Sequence, residues 1–357
     1  MNATLFHAWD KARRLRGDTL GIAGLDPIET PHEVIYAQLG ARLRRYALKD
    51  DVQSDGPKIL IVPAPIKRHY IWDLLPSCSV VRHALARGMD VYLLEWTQAP
   101  TEWGLDESVN AIAQCVSRIE STGGDLPHVF GHSLGGTLAA LYAARHPQRL
   151  ASLVLVEAPL HFGEDAGAFA PLLAYSPTGA ALHKTFGDVP GTVLNMAAVC
   201  ASPREFLWER QLDAMAALFR GGEVAHKHAL ATRWTFDEMP MPGRLFEQVV
   251  DDLYREDRFM RATLIIQERK VAPRDIKVPL AVVIDPFSAI LPAAAILDFV
   301  KAVPGRRKYV LRYVADEGVV LRHLGALIGA TAHREVWPQL FHWIQEVDTS
   351  LAAAQPS

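Results

Sequence analysis

The sequence predicts an α/β protein, a mostly parallel central sheet between helices with a helical cap inserted into it. Three observations carry that expectation. Short apolar runs of strand length alternate with segments of helical length, as parallel βαβ units require. The run at 128–130 passes through Gly131-His132-Ser133-Leu134-Gly135 straight into an Ala/Leu-rich segment. Between Pro159 and Asp275 the alternation stops, and scattered short helical stretches take its place.

Taken in order, Lys58–Val62 is a short buried strand, 79–87 a helix, Asp90–Trp96 the next strand and Leu105–Glu120 a helix with an apolar period. The strand at 128–130 leads into the glycine-flanked serine, and Ser152–Val156 is a further buried strand. After Ile276 the pattern resumes with a strand at Leu280–Ile284, a helix at 293–300 and a strand at 308–313. A last helix at 334–346 has Val336, Leu340, Ile344 and Val347 in register. The interval 161–275 carries Pro190-Gly191, Pro240 and Pro242-Gly243 among Phe186, Trp208, Leu218, Trp234 and Phe246. A structureless loop of that length does not suit a compact domain. It reads as a cap that covers a nucleophile, shapes its pocket and excludes water. The expected layout is an N-terminal extension at 1–50, core at 51–160, cap at 161–275, core again at 276–347 and a disordered tail at 348–357.

Of the 357 residues 50% are hydrophobic and 22% charged, with a formal net charge of −3. That length supports one large domain with a well-buried core. The near balance of charge gives no footing to a nucleic-acid partner. Cys78, Cys115 and Cys200 are scattered and odd in number, so they imply neither a disulfide framework nor a metal site and read as small buried hydrophobes. Residues 1–18 lack the apolar stretch of a secretory signal, and no run reaches membrane-spanning length. A cytoplasmic protein with no integral membrane segment, metal or cofactor is expected.

The glycine-flanked serine has a mechanism behind it. A strand that turns sharply into a helix strains the residue at the corner and needs small neighbours so that strand, turn and helix can approach. The strained residue then presents its hydroxyl above the sheet at the positive end of the helix. This is the nucleophile elbow of the α/β-hydrolase fold, with Ser133 as nucleophile. A serine hydroxyl needs a base, and in this fold the chain order is nucleophile, acid, histidine. His323, on the loop between the strand at 308–313 and the last helix, is the expected base. His333 and His342 read as packing or surface residues and His132 as structural, while His226 and His228 lack a third metal ligand. Asp285, at the end of the strand Leu280–Ile284, is the leading acid; Glu157 is the alternative and Asp316 a weaker third. The oxyanion hole expects the Leu134 N–H and one donor from Pro63-Ala64-Pro65-Ile66. Prolines have no N–H, so Ala64 or Ile66 donates, and Ile66 is preferred.

From about Pro31 to Ile344 the chain resembles the polyhydroxyalkanoate synthases, in particular the short catalytic subunit of the two-subunit class III enzymes. The resemblance rests on Ile61-Val-Pro-Ala-Pro-Ile-Lys-Arg-His-Tyr70, Asp90-Val-Tyr-Leu-Leu-Glu-Trp96 and Gly135-Gly136, on Asp188-Val-Pro-Gly191, Arg233-Trp-Thr-Phe-Asp237 and Asp252-Leu-Tyr-Arg-Glu-Asp257 in the cap, and on Ile276-Lys-Val-Pro279 and His323-Leu-Gly325 near the end. It implies acyl transfer from (R)-3-hydroxyacyl thioesters of coenzyme A through a covalent acyl-enzyme, a homodimer or a second synthase-type subunit, and association with polyester granules. The chain departs from the family in three places. Ser133 stands where the family has a nucleophilic cysteine, Ser288 aligns with the family's aspartate, and Arg322 replaces the glycine before His323. An alcohol is harder to deprotonate than a thiol and leans more on an oriented base. The resemblance therefore leaves three outcomes: a synthase, a serine hydrolase of esters, thioesters or polyesters, and a catalytically weak homologue that binds a true synthase.

Overall fold

The computed structural model describes residues 3–22, 24–47, 56–162, 167–288, 290–316 and 319–354. Five short, mostly apolar runs form its centre: β3 (Lys58–Val62), β4 (Asp90–Trp96), β5 (His128–His132), β6 (Ser152–Val156) and β9 (Leu280–Ile284). Apart from Lys58 at the start of β3, every residue in these five strands is buried. Such runs, apolar on both faces, suit a parallel sheet covered on both sides. With β1 at His32–Gln38, β2 at Ala41–Tyr46 and β10 at Lys308–Arg312, the sheet has eight strands in the order β1-β2-β4-β3-β5-β6-β9-β10. Pairing is parallel from β4 to β10, in agreement with the alternation in the sequence.

The first two strands, β1 (His32–Gln38) and β2 (Ala41–Tyr46), form an antiparallel hairpin that adds an edge to the sheet. Sequence reading had no strand there, because β2 is Ala-Arg-Leu-Arg-Arg-Tyr and shows apolar residues only at Ala41, Leu43 and Tyr46. Ahead of them, the helix α1 (Ala3–Ile22) gives the stretch 1–50 more structure than an extension implies.

One face of the sheet is covered by α3 (Leu105–Glu120) and α4 (Leu134–Arg145). The first buries Leu105, Val109, Ile112, Val116 and Ile119 on a single stripe, and the second is buried for nearly its whole length. On the other face lie α2 (Val80–Leu85), α12 (Gly325–Ile328) and α13 (Trp337–Ala354), with Trp337, Leu340, Phe341 and Ile344 packed towards Trp72 and Phe130. The last helix runs to Ala354, so most of the stretch expected as a disordered tail is helical; 355–357 lie outside the described residues.

After β6 the chain leaves the sheet and builds the cap from α5 (Phe169–Tyr175), α6 (Gly179–Phe186), α7 (Gly191–Ala201), α8 (Arg210–Arg220), α9 (Gly222–Trp234) and α10 (Gly243–Glu247). Two π-helical turns, Arg204–Glu209 and Gln248–Arg255, lead into α8 and out of α10. The short hairpin β7 (Leu264–Ile266) and β8 (Arg269–Val271) returns to the core, where Leu264, Ile266 and Val271 are buried. The last part of 161–275 thus belongs with the core side. Helix α1 is tied to the cap: Asp10 accepts the N–H groups of Gly191 (2.8 Å) and Thr192 (2.7 Å) at the start of α7. Arg233 of α9 donates to the carbonyls of Gly17 (3.0 Å) and Leu25 (2.7 Å). Among the described residues no helix is long and apolar enough to cross a membrane.

Candidate active site

Ser133 stands at the corner between β5 and α4 with φ 55° and ψ −136°, in the left-handed region that non-glycine residues rarely enter. Its own N–H is held by the Val156 carbonyl at 3.1 Å, which anchors the corner to β6. The flanking glycines are steric necessities. A Cβ at Gly135 would lie 2.2 Å from the Val62 carbonyl oxygen, and one at Gly131 would lie 2.4 Å from the Gly136 Cα. The chain therefore meets the geometric demands of an elbow at the residues expected from the sequence.

His323 lies on a short turn (Arg322–Leu324) ahead of α12. Its ring packs against that of His132 with centroids 4.5 Å apart, and His132 Nε2 donates to the His323 carbonyl at 3.0 Å. His132 thus supports His323 from beneath, a structural position in keeping with the sequence reading. Burial pushes the His323 imidazole down to about 4, so it is neutral at physiological pH and able to take a proton. Burial also holds His132 well below its ordinary value.

The two expected acids part company here. Asp285 sits at the end of β9, but both of its oxygens lie on Arg322 Nη2, at 2.7 and 3.1 Å, and Oδ1 also accepts the Phe287 N–H at 2.9 Å. Among the described residues no hydrogen bond or ion pair joins Asp285 to His323. The arginine next to the base thus engages both oxygens of that carboxylate through a single nitrogen. Glu157, the alternative, ends β6 with φ 46°, and its Oε2 lies 3.5 Å from His323 Nδ1. That separation is long for a hydrogen bond, and neither buried atom has another hydrogen-bond partner. Oε1 of Glu157 accepts the Asp285 N–H. Burial, opposed by that N–H and reinforced by the Asp285 charge, raises the Glu157 carboxyl to about 8. Asp316 is engaged elsewhere, by the Tyr313 hydroxyl and the Thr331 N–H. Ser288 accepts the Leu291 N–H at 3.2 Å.

Ser133 and His323 share one cavity of about 460 Å³, roofed by α5 and α7 of the cap and the segment around Gln248–Arg255. Leu134, Ala64 and Ile66 line it as well. Leu134 is the first residue of α4, so no carbonyl a turn earlier takes its N–H. One feature of the lining, Lys67, and one in the cap, Glu205, had no sequence signal. Lys67 is fixed by Glu238 at 2.7 Å and the Thr235 carbonyl at 3.1 Å, with Arg13 from α1 also on Glu238 at 2.9 Å. Glu205, in the turn before α8, is buried with neither oxygen hydrogen-bonded, and burial together with the Glu209 charge raises it to about 7. Both depend on contacts between the cap and segments distant in sequence. Among the described residues no three His, Cys, Asp or Glu side chains are grouped to hold a metal, and His226 and His228 remain without a third ligand.

A family profile describing the alpha/beta hydrolase fold matches residues 79–217. The chain is 29% identical over 329 residues to the poly(3-hydroxyalkanoate) polymerase subunit PhaC of Haloferax mediterranei, covering 89% of this chain and 64% of the relative's length. It is 25% identical over 346 residues to the subunit of the same name from Allochromatium vinosum, covering 94% of this chain and 95% of that one. Among solved structures, the monoacylglycerol lipase of Paleococcus ferrophilus superposes with a TM-score of 0.56 at 15% identity, over 87% of this chain and 100% of the other. An esterase from Thermogutta terrifontis gives 0.54 at 14%, over 89% and 99%. These likenesses show the α/β-hydrolase fold.

Proposed function

We propose, on the premise of that fold and of a likeness to polymerase subunits along most of the chain, that this protein is a serine acyl-enzyme of polyhydroxyalkanoate synthase type. The reading is carried by one observation: a serine at a strained strand–helix corner shares a cavity with a neutral imidazole, and a buried carboxylate lies behind that imidazole. Ser133 Oγ attacks the carbonyl of an (R)-3-hydroxyacyl thioester while His323 Nε2 takes the hydroxyl proton. The N–H groups of Leu134 and Ile66 hold the developing oxyanion. Collapse of the tetrahedral species expels the thiolate, which leaves as a thiol with the proton from His323. Ser133 is left as an oxoester. An acceptor hydroxyl, activated by the same imidazole, then attacks this ester and frees Ser133. If the acceptor is the end of a growing chain the polymer lengthens; if it is water the product is the free acid.

In this mechanism the carboxylate that orients His323 is Glu157, with Asp285 set aside by Arg322. A fluorophosphonate probe tests the core of it. A covalent adduct on Ser133, absent in Ser133→Ala, supports the reading, and no adduct overturns it. Incubation with 3-hydroxybutyryl coenzyme A then separates the outcomes, since chain growth marks a synthase and free 3-hydroxybutyrate marks a hydrolase. The hydrolase reading draws on the serine, because an oxoester is a less activated donor than a thioester. The weak-homologue reading draws on the long gap between Glu157 and His323. A homodimer or a second synthase-type subunit, and attachment to polyester granules, complete the proposal. Light scattering on the purified chain and sedimentation with granules check them.

A further inference from the structure

We infer that the acyl group preferred by this site is a medium-length hydrocarbon chain, from octanoyl to dodecanoyl, lodged in the cap. The inference rests on the serine acyl-enzyme reading and adds the substrate's size class. Its ground is the cavity above Ser133. At about 460 Å³ it lies within the roughly 300–1,000 Å³ of sites that enclose a whole small molecule. A cavity of that size has room for more than a four-carbon acyl chain.

The chemistry of the walls points the same way. Away from Ser133 the lining comes from Phe169 and Leu173 of α5, Leu194 of α7, and Val249, Tyr254 and Ile290. Two of the charged groups at the other side, Lys67 and Arg210, are already engaged. Lys67 is held by Glu238, and Arg210 Nη2 donates to the Thr235 hydroxyl at 2.9 Å. A ligand entering this space thus meets hydrocarbon. A polar pantetheine arm would lose its hydrogen bonds to water there and gain few in return, whereas an alkyl chain loses nothing. Successive methylenes that find such walls gain up to about fourfold each in binding.

The experiment is a chain-length series with the intact chain, comparing butyryl, octanoyl, dodecanoyl and hexadecanoyl (R)-3-hydroxy thioesters of coenzyme A by kcat/KM. A rise of at least tenfold from butyryl to octanoyl or dodecanoyl, followed by a fall at hexadecanoyl, is expected. Ala198→Trp, which fills the cavity from α7, should abolish that rise, read as the ratio of octanoyl to butyryl kcat/KM. Leu194→Ala, which enlarges it, should move the optimum to longer chains, and it serves if the tryptophan variant does not fold. A profile that is flat or highest at butyryl, on protein whose Ser133 still takes the fluorophosphonate label, overturns the inference and leaves the serine reading intact. That result would assign the cavity to a segment of growing polyester. Absence of the label overturns the reading beneath it and the inference with it.

Discussion

At the residue scale, function turns on which carboxylate answers His323. For His323 Nε2 to accept a proton from Ser133, Nδ1 must carry one and point it at an ionised partner. Glu157 is raised to about 8, so it is largely protonated at neutral pH, and kcat/KM is expected to climb as pH rises through that value. Stability should run the other way. The folded chain holds this proton more tightly than the unfolded chain, whose carboxyl titrates near 4.5. The contribution is therefore complete below that pH and is lost as pH rises towards about 8. A pH–rate profile and a series of urea titrations across the same range check both trends. Glu157→Gln should lower kcat by roughly a hundred- to ten-thousand-fold and flatten the profile. Asp285→Asn separates the two acids. If Glu157 is the partner, removing the neighbouring charge shifts the rising limb to lower pH and keeps activity; loss of activity would restore Asp285 to the role. Ser133→Cys should make the enzyme less dependent on Glu157, because a thiol ionises with less help, and a double-mutant cycle on kcat with Glu157→Gln measures that coupling.

At the scale of elements, what could be read from the sequence follows from what each segment buries. The five central strands are buried on both faces; four were legible to the residue and β5 was read two residues short, while the elbow was legible through glycines that answer to close backbone contacts. Gly135→Ala illustrates the constraint. The added carbon meets backbone at Val62 and Pro63, and the loss should be at or above the top of the about 1–3 kcal/mol typical of overpacking. A urea midpoint and loss of the Ser133 label would register it. The β1–β2 hairpin was illegible because Arg42, Arg44 and Arg45 interrupt its pattern; Arg44 and Arg45 pair with Glu95 and Asp90 on the neighbouring strand. The cap was legible as an interruption, but its helices are punctuated by proline and glycine and pack by contacts that skip long stretches of chain. The surroundings of the two candidate acids were illegible for a related reason. Asp285 holds the expected place in sequence, and only the fold brings Arg322 onto it and Glu157 to the imidazole.

At the scale of the whole molecule, the cap is a lid fastened to the first helix of the fold. Its α7 lines the cavity and starts on the Asp10 carboxylate of α1, which does the work of an N-cap from another helix. Asp10→Ala should therefore destabilise the lid by about 0.5–2 kcal/mol, as loss of a capping side chain does. Faster proteolysis within 169–234, with little change at the sheet, is the expected signature. Asp10 and Gly191 are 181 residues apart. During synthesis the first helix thus leaves the ribosome long before the segment it must clasp exists. Since α7 in turn precedes β9 and β10 along the chain, the clasp between the first helix and the cap can form before the last strands of the sheet have been made.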